Sequence, residues 1–212
     1  MMKRSVLLLL LLVVTPILAA DREALKRDLV AHPSNAANHL ALAKAFEAES
    51  FRVPAIFEYL RFLALESETP RSVEAAKRLD GMLSVGVQQT DKGMSLTIDP
   101  SSRKEEGDYQ SAELMIALAA AAASGSEKGT PGEFGKVFDQ LTSALAMIGE
   151  GEWGTDYTAV NNIKWLRDLQ KKELVNVLVG SALLPLQLDG SKAWEERNRV
   201  SISRLRAEVK PE

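Results

Sequence analysis

Between Asp21 and Leu83, apolar residues recur three and four positions apart, and prolines interrupt the run at Pro33, Pro54 and Pro70. That period stacks side chains on one face of a helix, whereas a strand would alternate. Proline ends a helix or sits in its first turn, so the punctuation calls for several short helices instead of one long one. Asp21 can cap the first, with Ala24, Leu25, Leu29 and Val30 at helical spacing before Pro33. Asn35 opens a second, which carries Leu40, Leu42, Ala43 and Phe46. Pro54 lies in the first turn of a third with Ile56, Tyr59, Leu60, Leu63 and Ala64, and Pro70 begins a fourth with Val73, Ala76, Leu79 and Leu83. Short links between such helices make them antiparallel neighbours.

Within this run, residues 39–67 resemble one tetratricopeptide (TPR) helical hairpin. Leu42-Ala43 and Phe46 fill the leucine, small-residue and aromatic slots of its first helix, and Ala55 and Tyr59 fill the alanine and aromatic slots of its second. His39 stands where that repeat has tryptophan, and Ser67 where it has proline. The resemblance covers one unit, whereas a free-standing array needs about three. It implies close packing of two helix backbones through Ala43 and Ala55, and a scaffold that binds a protein or peptide.

After Leu83 the period changes to two. Val85 and Val87 alternate with glycine and glutamine, and Met94, Leu96 and Ile98 alternate with serine and threonine around Gln89–Gly93. This pattern predicts a β-hairpin over 84–99, lying against helices because two strands alone are marginal. A helix from Asp108 to about Ser124 follows, apolar nearly all round and therefore expected at the centre of the fold. Thr130-Pro131-Gly132-Glu133 combines a capping box with proline at the first helical position, ahead of a stripe from Phe134 to Ile148. Helices are expected over 156–170 and 172–183, with a bend at Pro185. Asp189-Gly190 then turns the chain into a last helix from Ser191 to Glu208 whose alternating charges read as a solvated face. The predicted class is mainly α: TPR-like helices over 21–83, the hairpin connector over 84–99, and a helical bundle over 100–212.

The first twenty residues differ from the rest. Met1-Met2-Lys3-Arg4 precedes the apolar run Val6–Val14, and small residues Ala19-Ala20 stand before Asp21. A positive start, a short apolar stretch and a small-residue boundary predict a secretory signal peptide over 1–20, and hence a periplasmic or secreted protein. The run is too short for a stable membrane span. An uncleaved anchor is the competing reading of the same segment.

Composition removes whole classes of chemistry. The 212 residues contain no cysteine and two histidines, His32 and His39, so no disulfide, thiolate or multi-histidine metal centre is expected. The net charge of −3 provides no basic field for nucleic acid. The acidic cluster Glu105, Glu106, Asp108 and Glu113 has the residue types for glycoside hydrolysis or calcium, but acids at a helix start are favoured by the macrodipole alone. No Gly-x-Ser-x-Gly elbow is present, and Gly149, Gly151 and Gly154 fit no phosphate-loop spacing. No catalytic, cofactor or metal residues are therefore assigned. His39, Tyr59 and Trp153 are the candidate partner contacts, with the main surface expected as a groove beside residues 36–66. The leading expectation is a non-enzymatic, exported helical adaptor. The alternative is an enzyme or small-ligand carrier with a pocket in the C-terminal helical half.

Overall fold

The computed structural model describes residues 21–83, 87–90, 93–96, 104–125 and 132–210. The signal segment expected over 1–20 and the Thr130-Pro131 half of the capping box lie outside the described residues. Helix α1 covers 21–31. It is followed by α2 (Ala36–Ala48), α3 (Arg52–Leu65), α4 (Pro70–Leu83), α5 (Gln110–Gly125) and α6 (Gly132–Glu150). A π-helical turn, Thr158–Ile163, leads into α7 (Lys164–Lys171), and α8 (Val175–Leu183) ends in a 3₁₀ turn, Leu184–Leu186, before α9 (Ser191–Val209).

The local signals act where the sequence puts them. Asn35 caps α2 by accepting from the Asn38 amide at 3.2 Å. Pro70 begins α4, and Thr69 and Ser72 cap it reciprocally: the Thr69 amide donates to Ser72 Oγ at 2.9 Å and the Ser72 amide to Thr69 Oγ1 at 3.3 Å. The bend expected at Pro185 is the 3₁₀ turn, closed by the left-handed Gln187 (φ 53°).

Helix α3 is the centre of the molecule. Every residue from Val53 to Leu65 except Arg61 is buried. It packs against α2, α4, α5, α8, α9 and the π turn. The expectation that the alanine-rich α5 would be the enclosed helix is corrected: Leu114 and Leu118, one turn apart, are 39% and 46% exposed. The two cationic flanks of α3 are absorbed individually. Arg52 donates to the Met82 carbonyl at the end of α4, and the Arg61 guanidinium lies 4.6 Å from the Trp165 ring centre.

The expected β-hairpin is also corrected as an architectural element. Among the described residues the core is helical, and no sheet layer separates the helices. Among the described residues between α4 and α5, the four-residue stretches Val87–Thr90 and Gly93–Leu96 pair, antiparallel, with Thr90 opposite Gly93. Helix-on-helix contact carries the packing because α3 offers apolar side chains on most of its faces and helices meet it on each of them.

The amphipathic reading of α1 is reversed in part. Ala24 and Val30 are exposed, whereas Arg22 and Lys26 are buried at 6% and 8% exposure. Arg22 pairs with Glu49 at 3.3 Å and Glu106 at 3.2 Å, and Lys26 also pairs with Glu106. The Arg22 guanidinium covers the Phe51 ring at 4.8 Å. This ionic seam, not an apolar stripe alone, fastens α1 to the fold.

Candidate functional site

The residues that carry the TPR resemblance are interior. Ala43, Phe46, Ala55 and Tyr59 are each at 0% exposure. Tyr59 reaches outward only through its hydroxyl, which donates to Glu47 Oε2 at 2.6 Å, and burial followed by the Glu47 carboxylate raises its phenol well above the usual range. His39 is likewise enclosed. Neither residue can meet a partner, so the surface expected beside residues 36–66 does not have the contacts assigned to it. The reason is that α2 and α3 pack with these side chains between them, and other elements cover the faces left over.

His39 instead belongs to a buried polar cluster. Its Nε2–H donates to the Pro33 carbonyl at 2.9 Å, and its Nδ1 lies 2.5 Å from Glu58 Oε2. The other Glu58 oxygen accepts from Asn162 Nδ2 at 2.6 Å. Because Nε2 is committed as a donor, the contact between Nδ1 and the carboxyl holds one proton, and the pair is net neutral whichever atom carries it. Asn162 sits on the π turn, whose wider winding turns it inward toward α3. Burial, then the Glu58 charge, also raises the Tyr157 phenol. His39 and Glu58 are fully covered, so this cluster joins α2, α3 and the π turn and offers no access to a substrate.

Trp153 is half-buried. Its indole N–H donates to the Ile148 carbonyl at 2.7 Å, and its ring packs 5.5 Å from Tyr109. It closes the connection after α6. The acidic cluster is dispersed in the same way: Glu106 faces Arg22 and Lys26, and Asp108 pairs with Lys104 and accepts from the Gln110 amide at the start of α5. Among the described residues, no group of three His, Asp or Glu side chains is placed to hold a metal ion. No helix among them is long and apolar enough to cross a membrane.

A concave feature lies elsewhere, between the α3–α4 loop and the turn from α8 into α9. It is an open groove of about 1250 Å³. One wall is the loop Ser67–Thr69 with the capped start of α4, held further by Arg71, which donates to both Glu66 oxygens at 3.0 and 2.5 Å. The opposite wall is the Leu184–Gly190 turn and the first two turns of α9. Trp194 fixes that wall from behind. It lies 5.7 Å from Phe134 and 6.0 Å from Phe138, with its indole directly over Gly180. The Phe134 amide donates to the Asp189 carbonyl at 3.3 Å and ties the turn to α6. At one end, Arg206 reaches across to Glu68 at 2.5 Å.

The groove lining is mixed. Val73, Leu184 and Leu188 are half-buried apolar side chains within it. Four carboxylates, Glu68, Asp189, Glu195 and Glu196, line it against two cations, Lys192 and Arg206. Gly190 is the N-cap of helix α9 and has no side chain to cap it, so no side chain satisfies the first-turn amides of Lys192 and Ala193. Beside them, Ser191 is 7% exposed, and its hydroxyl has no hydrogen-bond partner among the described residues. None of these residues was a candidate in the sequence, where α9 read as a solvated charged face. The usable signal was glycine, where a helix start normally has Ser, Thr, Asp or Asn. Comparison with known proteins found no matching family model, no similar curated protein and no similar solved structure.

Proposed function

We propose that this chain is an exported, non-enzymatic helical scaffold that binds a peptide segment of a partner protein in the groove between the α3–α4 loop and the start of α9. The observation that supports it is the groove itself, an open trough of about 1250 Å³ between two pinned helix starts. Its walls combine half-buried apolar side chains with hydrogen-bonding groups that nothing in the fold uses, the combination that a peptide backbone and its side chains can satisfy together. The TPR-like spacing at 39–67 favours a scaffold in a general way, and the segment Lys3-Arg4 followed by Val6–Val14 favours export.

Selection of displayed random peptides on the purified protein tests this reading. Ala193, exposed on the groove wall, is changed to Trp to obstruct the trough without touching the core. Peptides that bind the wild type and lose binding to Ala193→Trp are the expected outcome. Peptides enriched equally on both proteins would place binding elsewhere and overturn the assignment.

A further inference from the structure

The groove has an electrostatic and hydrogen-bonding character of its own, and we infer that its occupant is an extended, cationic segment of another protein. Lysine or arginine side chains of that segment meet Asp189, Glu195 and Glu196, and its backbone carbonyls meet the first turn of α9. This inference rests on the peptide-groove reading above and adds the chemistry of the occupant.

Three features converge on it. First, the charge is unbalanced: Arg206 is already held by Glu68, which leaves Lys192 alone against Asp189, Glu195 and Glu196, and none of these four makes an ion pair among the described residues. Second, beside those carboxylates the groove wall also carries unused donors. The amides of Lys192 and Ala193 have no side-chain cap, and the hydroxyl of Ser191, a residue 7% exposed on the groove wall, has no partner among the described residues, so all three are available to an acceptor in the groove. A free anion would supply one, but it would enter beneath a rim of carboxylates. Neutral peptide carbonyls satisfy the same donors without that repulsion. Third, a helical occupant would have spent its carbonyls internally, whereas an extended chain presents them. Val73, Leu184 and Leu188 then supply apolar surface for the aliphatic stems of long cationic side chains.

Fluorescence anisotropy on the full chain separates the alternatives. The probe is a labelled nonapeptide with lysine at every second position, compared with the same peptide carrying serine or glutamate there. The expected order is lysine, then serine, then glutamate. Changing Asp189→Asn together with Glu195→Gln weakens the lysine peptide by about three- to tenfold, as loss of two exposed ion pairs requires. Raising salt from about 50 to about 300 mM weakens it further. Ser191→Ala weakens the lysine and serine peptides alike, because it removes a backbone contact. Glu152→Gln, an exposed change outside the groove, has no effect. Equal, salt-insensitive binding of the lysine and serine peptides would overturn the charge inference and leave the peptide groove standing. Preference for glutamate, or an equal loss from Glu152→Gln, would also overturn the inference. Self-association abolished by the same groove substitutions would assign the groove to a second copy and overturn it. Binding of no peptide would sink both readings.

Discussion

Replacing Glu58 tests the central packing claim most directly, because two substitutions of similar size have opposite expected costs. Glu58 is fully buried on α3 and joins His39 of α2 to Asn162 of the π turn. Glu58→Gln keeps both bonds. The amide oxygen accepts from Asn162 Nδ2, and the amide nitrogen donates to a neutral His39 Nδ1 whose Nε2–H still meets Pro33. The pair stays net neutral and only the short shared-proton contact becomes an ordinary neutral hydrogen bond, so the expected cost is about 1 kcal/mol. Glu58→Leu removes both bonds and strands two buried polar atoms, each at about 1–3 kcal/mol, so the expected cost is about 2–6 kcal/mol. Adding His39→Leu to Glu58→Leu removes one of the stranded atoms and gives the double variant a coupling of about 1–3 kcal/mol toward stability. Urea unfolding followed by circular dichroism measures all four proteins, with an unchanged slope required for the comparison. A Glu58→Leu cost below about 1 kcal/mol, or strictly additive single changes, would refute the claim that this cluster holds α2, α3 and the π turn together.

Three further outcomes follow from the geometry. Gly180→Ala drives a Cβ into the Trp194 indole, which Phe134 and Phe138 prevent from moving aside; a loss of about 1–3 kcal/mol and altered tryptophan fluorescence are expected, and an unchanged melting temperature would contradict the packing. Arg22→Gln removes the Arg22 contacts of Glu49 and Glu106, so amide exchange in α1 speeds up before that of α3; unchanged protection over 25–31 would show the ionic seam to be idle. Burial raises the Asp80 carboxyl, so the folded chain holds that proton more tightly than the unfolded one, and ionisation costs stability at neutral pH but nothing once both states are protonated. Asp80→Asn therefore raises the urea midpoint at pH 7 and leaves it unchanged at about pH 3, and a gain at both values would point to a cause other than the carboxyl's charge.

Helix positions were legible because their causes are local. Asn35, Pro70, Pro185 and Gly190 each act on their own turn, and each lies at the start of a helix or in the bend where the sequence placed it. Which helix would be central was not legible from periodicity alone. The α3 stripe through Ile56, Tyr59 and Leu63 was visible, but Val53, Phe57 and Phe62 make its other faces apolar as well, and that completeness marks an enclosed helix. By the same measure α5 was read as more buried than it is. An all-apolar helix is enclosed only where other elements reach each face, and among the described residues none covers Leu114 and Leu118.

The sequence by itself determined the helical class, the short helices and their ends, because spacing, caps and prolines act within one or two turns. Tertiary structure alone decided which polar residues lie inside. Asn162 meets Glu58 across 104 positions and Lys26 meets Glu106 across 80, and no local pattern encodes such partners. The same holds for the groove. Its two walls are an ordinary capped helix start and an ordinary charged helix, and they form a trough only because α3 brings α4 and α9 to its own surface.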